Sequence, residues 1–165
     1  MPRLSLPDWQ HPDELLATLD ALPDGRVNRA LYELLWQYAG EGVHAAQCQA
    51  LFALLPHPRY RGRQNLHHWI ADVLYGGMPW QALLPHIEAQ LGRLHVESCR
   101  VFGERAGMSD DTDALEDAVQ RLFAAGSGNA HDIICSMLYW HKALAVRRPE
   151  WGAWLRRRTA VLHGM

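Results

Sequence analysis

A chain of 165 residues with 48% hydrophobic content carries enough apolar side chain to close a core without disulfide or metal staples, and its length predicts one compact domain over residues 1–165. A formal net charge of −2 excludes a global cationic field, so long-range attraction to nucleic acid or to an anionic membrane is not expected. Three cysteines far apart in sequence point to reduced thiols, and no apolar run reaches signal-peptide or membrane-span length, so the reading is of a soluble cytoplasmic protein.

The punctuation is helical from the first elements onward. Pro12 stands where a first helical residue belongs, with Asp13 and Glu14 in the first turn and Leu15, Leu16, Leu19 and Leu22 as one stripe, which predicts a short helix from Pro12 to Leu22. Leu31, Leu34, Leu35 and Tyr38 define a second helix that Gly40 and Gly42 end. "VHAAQCQALFALLPHP" is a third, closed by Pro56 and Pro58. After the loop "PHPRYRGRQ", Leu66, Ile70, Val73 and Leu74 mark one face of a fourth, stopped by Gly76 and Gly77.

Pro79 and Pro85 bracket a short helical turn, and from His86 to Gly107 the pattern predicts a single long helix with Gly92 as its weak point. Asp110, Asp111 and Asp113 open the next helix at the positive end of its dipole, with Leu115, Val119, Leu122 and Phe123 inward. Asn129 reads as an N-cap, with Asp132 three residues on, for one helix through "AHDIICSMLYWHKALA". Pro149 begins the last helix, with Trp151, Trp154, Leu155 and Val161 as apolar positions. No segment alternates at period two, so the fold class is all-α: a single-domain helical bundle or short stack of helical hairpins, with about eight or nine helices.

"ALLPH" occurs at Ala53–His57 and again at Ala82–His86, and "GRVN" at Gly25–Asn28 echoes "GRQN" at Gly62–Asn65. The two spacings disagree, whereas a solenoid holds one period over several units. A leucine-rich composition accounts for the echo.

The pattern that composition explains least is a histidine four residues before every cysteine: His44/Cys48, His95/Cys99 and His131/Cys135. On a helix each pair lies on one face a turn apart, and two pairs from facing helices would supply the tetrahedral Cys₂His₂ set that zinc accepts; haem is the other cofactor considered. Each pair also falls on an apolar stripe, where a buried cysteine is a small hydrophobe and the histidine sits at its rim. On balance no cofactor is expected. His68 and Asp72 have the spacing of a carboxylate-oriented imidazole, but no nucleophile can be assigned to them and no catalytic residue is named.

Two charged regions remain. Asp110, Asp111, Asp113, Glu116 and Asp117 read as a helix start or as a docking patch for a basic partner. Arg147, Arg148, Arg156, Arg157 and Arg158 beside Trp151 and Trp154 form a basic aromatic region of the kind that meets nucleic-acid strands or complements a helix dipole. His141, in "YWHK", reads as a half-buried histidine at a helix interface. Of the seven tryptophans (Trp9, Trp36, Trp69, Trp80, Trp140, Trp151 and Trp154), most belong to the core, and an exposed one would be an interface anchor.

"LLPHPRYRGRQNLHHWIADVLYGGMPWQALLP", Leu54 to Pro85, resembles the N-terminal helical region of insertion-sequence transposases in the order of its Leu-Pro, Gly-Arg, Leu-Tyr, Pro-Trp and second Leu-Pro elements. The spacing departs from that pattern on both sides of Trp80, and no function is carried over from it.

The functional expectation is a non-enzymatic protein-binding helical module of the adaptor, regulator or toxin-neutralising immunity type, with Asp110, Asp111, Asp113, Trp151, Trp154, Arg156 and Arg157 as candidate partner-binding residues. The alternatives are a metal- or haem-binding helical sensor or enzyme that uses the three His/Cys pairs, and a DNA-binding helical domain.

Overall fold

The computed structural model describes residues 12–41, 45–60, 63, 67–68, 70–71, 73–74 and 79–162, the side chains of 12, 28, 34–41, 45–47 and 49 excepted. Leu34, Leu35, Trp36, Tyr38, His44, Leu66, Trp69, Asp72 and Gly76, named above, therefore lie outside what is described of side chains. Among the described residues there is no strand, and the all-α expectation holds. The helices are α1 (Pro12–Asp20), α2 (Asp24–Glu41), α3 (Ala45–Leu54), α4 (Trp80–Ala89), a 3₁₀ turn at Leu91–Arg93, α5 (Val96–Gly107), α6 (Thr112–Ala125), α7 (Gly128–Trp140), α8 (Lys142–Arg147) and α9 (Pro149–Leu162). Positions 67–68, 70–71 and 73–74 are helical as well. Contacts group the chain into two compact units, Met1–His95 and Val96–Met165.

In the first unit Leu15 and Leu19 of α1, Val27 and Leu31 of α2, and Leu51, Phe52 and Leu54 of α3 are all buried, as the stripes require. The α1–α2 connection is held by Arg59. Its guanidinium donates to the carbonyls of Leu19 (2.9 Å) and Leu22 (2.6 Å) and to Asp24 Oδ1 (2.9 Å), so one planar fork ties the end of α1, where the Leu19 carbonyl also accepts the Leu22 N–H, to the start of α2. His57, whose Nε2 lies 3.5 Å from Asp20, accepts the Arg59 backbone N–H on Nδ1 and packs its ring against Tyr60.

The two copies of "ALLPH" take different backbones. At Ala53–His57 the helix ends at Leu54 and the chain turns, because Pro56 and Pro58 push Leu55 and His57 out of the helical region. At Ala82–His86 the same five residues lie wholly inside α4, which passes through Pro85 rather than stopping there. Pro85 and Gln81, whose carbonyl loses its helical partner, both face solvent. Burial of Trp80, Leu83, Leu84 and Ile87 offsets the lost hydrogen bond.

The long helix expected from His86 to Gly107 is divided. Gln90 ends α4, a 3₁₀ turn buries Leu91, extended Leu94 is also buried, and α5 starts only at Val96. Glycine at position 92 makes the break inexpensive, and burial of two leucines on a non-helical path decides it.

The second unit is organised by an approach of α5 to α7 that only glycine permits. A Cβ on Gly103 would stand 2.4 Å from the Ile133 carbonyl oxygen and 2.6 Å from Ser136 Cβ, and one on Gly107 would stand 2.8 Å from the Met137 carbonyl oxygen. Gly103 faces Ile133 and Ser136 while Gly107 faces Met137 and Trp140, so the two helices run parallel. Ser136 Oγ donates to the Arg100 carbonyl at 2.7 Å across the same seam. α6 is the return between them. Asp111 caps it, accepting the Ala114 N–H at 3.0 Å, and Gly126 ends it at φ 67°, a left-handed conformation that glycine adopts without strain.

Three local expectations are corrected here. Ser127, not Asn129, caps α7, accepting the Ala130 N–H at 3.1 Å, and Asp132 instead meets Arg158. The helix expected to run to Ala145 is interrupted at His141, whose ring bonds Thr112 Oγ1 (2.9 Å) and the Gly107 carbonyl (3.2 Å). A carbonyl only accepts, so Nδ1 carries a proton. The half-buried ring thus joins the end of α5 to the start of α6. Third, Val161 is not inward on α9 but 80% exposed.

Gly103→Ala gains helix propensity but places its methyl against backbone, and is expected to destabilise the protein by about 1–3 kcal/mol in chemical denaturation. Gly92→Ala, with nothing within 4 Å of its added Cβ, is the control for a spatially tolerated substitution. Unchanged stability for Gly103→Ala would refute the close seam.

Candidate functional site

Both oppositely charged regions of the sequence fall in the second unit, and they are spent largely on each other. Arg147 pairs with Asp113 and, at 3.2 Å, with Glu116; Arg148 pairs with Glu116 and with Glu150, each at 2.6 Å. Arg158 meets Asp132 at 2.9 Å. Single exposed ion pairs contribute little, but here two arginines share one carboxylate and fix the α8–α9 junction against α6. Hydrogen bonds from Arg148 and then Arg147 hold the Glu116 carboxyl below its ordinary value, and Arg148 does the same for Glu150.

That junction shapes an aromatic site. Phe123 of α6 contacts Trp151 (centroids 5.9 Å apart) and meets Trp154 edge to face at 5.0 Å, and His131 of α7 packs edge-on against Trp154 at 5.6 Å. Arg148 lies over the Trp151 ring at 4.4 Å and Arg158 over Trp154 at 5.6 Å. Between α6 and α9 the surface opens into a recess of about 360 Å³ lined by Gln120, Phe123, Arg148, Glu150, Trp151, Trp154 and Arg157. The volume is near the lower end of the range of about 300–1,000 Å³ typical of ligand sites.

Of the residues proposed from sequence, the fold brings Trp151, Trp154 and Arg157 to this recess. Trp151 is only 7% exposed and serves as floor, and Trp154 is half-buried. Arg156 is exposed on the adjacent face of α9, its Nη1 near Gly152. Asp113 is engaged by Arg147, Asp111 is a helix cap, and Asp110 is exposed beside it. Sequence reasoning missed Gln120, Phe123 and Glu150 as lining residues. Phe123 was read as core, and only the i, i+3 spacing of Gln120 and Phe123 hinted at a shared face. A second apolar feature is separate: Tyr139 and Trp140, 62% and 47% exposed, pack edge to face at the end of α7.

The three His/Cys pairs are distributed as follows. Cys48 belongs to the first unit, Cys99 and Cys135 to the second, and His44 lies outside the described residues. His95 precedes the first residue of α5, so it and Cys99 do not share a helix; its ring stacks on His67 at 6.4 Å. His131 and Cys135 do share α7, with His131 turned to Phe123 and Trp154. Among the described residues no three of His, Cys, Asp and Glu are grouped to hold a metal ion. None of the three cysteines forms a disulfide. Burial pushes Cys48 up to about 11 and Cys99 up to about 12, the latter reinforced by Asp132, and burial also raises Cys135 against the opposing Arg158.

Comparison of the chain with models of known protein families, with curated proteins and with solved structures gives no match.

Two outcomes follow from these environments. Ellman's reagent at pH 8 is expected to leave Cys48 and Cys99 unreacted in the native protein, with Cys135 the first thiol to react and all three released in guanidinium. Rapid native reaction of Cys99 would contradict its burial. The lowered carboxyl values give the sign of the acid response. A carboxyl that titrates below its free value of 4.5 contributes stability above that pH and loses it as the pH falls through the depressed folded value. The denaturation midpoint should therefore drop between about pH 5 and pH 3, and Glu116→Gln should flatten that slope at low salt. An unaltered slope would show that Glu116 is not a proton acceptor in the transition.

Proposed function

We propose that the protein is a non-enzymatic, protein-binding helical module of the adaptor, regulator or toxin-neutralising kind, acting in the reducing environment of a cytoplasm. The observation that carries this is the aromatic recess between α6 and α9, floored by Phe123, Trp151 and Trp154 and rimmed by Arg148 and Arg157. Tryptophan and arginine dominate binding hot spots because they combine large contact area with a polar handle, and a concave site excludes water around them. Here the aromatic floor is prefixed by ring contacts and cation stacking, so little side-chain entropy remains to be lost on binding.

Three further observations support the reading. The one carboxylate of the lining, Glu150, is engaged by Arg148, which makes it a poor general base. Three cysteines that form no disulfide fit a reducing compartment. No helix among the described residues is long and apolar enough to cross a membrane. DNA binding is less well supported, because Arg147, Arg148 and Arg158 already carry carboxylate partners.

The test is affinity capture from cells that express the protein at native level. Wild type and Trp140→Ala should retain a protein partner, while Gln120→Arg, which fills the recess from an exposed position, should lose it with its melting temperature unchanged. Absence of any captured protein, or retention by Gln120→Arg, overturns the assignment to this recess.

A further inference from the structure

Resting on the protein-binding reading, we infer that the recess takes a single apolar side chain from an acidic segment of the partner, with a neighbouring carboxylate on Arg157.

The charge balance selects the occupant. Within the lining two guanidiniums, Arg148 and Arg157, stand against one carboxylate, Glu150, which Arg148 engages. Arg157 lines the recess and forms no ion pair among the described residues, and neither does the adjacent Arg156. The lining therefore carries one more positive than negative charge, and Arg157 is its guanidinium without an ion pair among the described residues. A carboxylate meets it bidentately, whereas a cationic segment would meet only repulsion.

The helix face sets the direction of the segment. Glu150, Trp154, Arg157 and Val161 recur at spacings of three and four and share one face of α9. Val161, 80% exposed, is seven residues beyond Trp154, roughly 10 Å along the axis at about 1.5 Å per residue. A segment anchored in the recess and running past Arg157 reaches that second apolar contact. A nucleic-acid strand fits less well, because Arg148 and Arg158 already cover faces of Trp151 and Trp154 on which bases would stack.

Fluorescence anisotropy with the full chain tests this, using fluorescein-labelled dodecapeptides that carry one Leu, Phe or Trp among glutamates. Sister peptides replace Glu by Gln or by Lys, and a single-stranded oligonucleotide completes the set. The acidic peptides should bind, the Gln sisters should bind about ten-fold more weakly, the loss of one charge-assisted contact, and the Lys sisters not at all. Arg157→Glu should abolish binding of the acidic peptides, and Arg157→Lys should restore part of it. Equal binding of Glu and Gln peptides, indifference to Arg157→Glu, or tighter binding of the oligonucleotide overturns the inference. If no peptide binds while Gln120→Arg still loses the captured partner, the acidic chemistry is wrong and the protein-binding reading stands. If both fail, the reading falls as well.

Discussion

The second unit depends on the absence of a side chain at Gly103. With the Ile133 carbonyl and Ser136 Cβ both within 2.6 Å of where a methyl would be, α5 and α7 can meet only as backbone against backbone. Their parallel course follows, because Gly107 repeats the contact one turn further on against Met137. Two parallel helices need a return between them, and α6 supplies it, burying Leu115, Ala118, Val119 and Leu122. The neighbouring flank of α6, with Glu116, Gln120 and Phe123, then meets α8 and α9. The recess is a product of that arrangement more than of any one aromatic residue.

Electrostatics locks the same junction and changes what the charges mean. Read along the chain, an acidic run near 110 and a basic run near 150 are two surfaces in search of partners. Folded, Asp113 and Glu116 answer Arg147 and Arg148, and Asp132 answers Arg158. Since paired charges carry little further attraction, the few arginines left over count for more than the total suggests.

How far the sequence carried is clearest at the helix ends. Pro12, Pro149 and the aspartates before α6 act through local backbone geometry, so their positions are legible. The break at His141 was not, because its cause is a ring bonded to Gly107 and Thr112, residues roughly thirty positions away. Pro85 shows the same limit from the other side: "ALLPH" ends α3, where a second proline follows at Pro58, yet runs through α4, where buried Ile87 follows. The glycine seam left a visible trace in "GERAG", though without knowledge of the facing helix that spacing is indistinguishable from ordinary composition. The candidate site was legible in part. Trp151, Trp154 and Arg157 were picked out by type, while Gln120, Phe123 and Glu150 come to them only through packing.

Arg59 bears on the order in which the first unit can form. The Leu22 carbonyl just past the end of α1 is satisfied by a guanidinium 37 positions later in the chain, which also reinforces the turn bond on Leu19. Until that residue is in place, the Leu22 carbonyl keeps only water and that of Leu19 only a turn bond from the Leu22 N–H, and a helix as short as α1 is marginal alone. During synthesis from the N-terminus, α1 is therefore made early and fastened late, when the turn after α3 has emerged. A single arginine fork in this way converts a local helix end into a checkpoint of loop closure, and the entropy of closing that loop falls on the step that fixes α1, not on α1 itself.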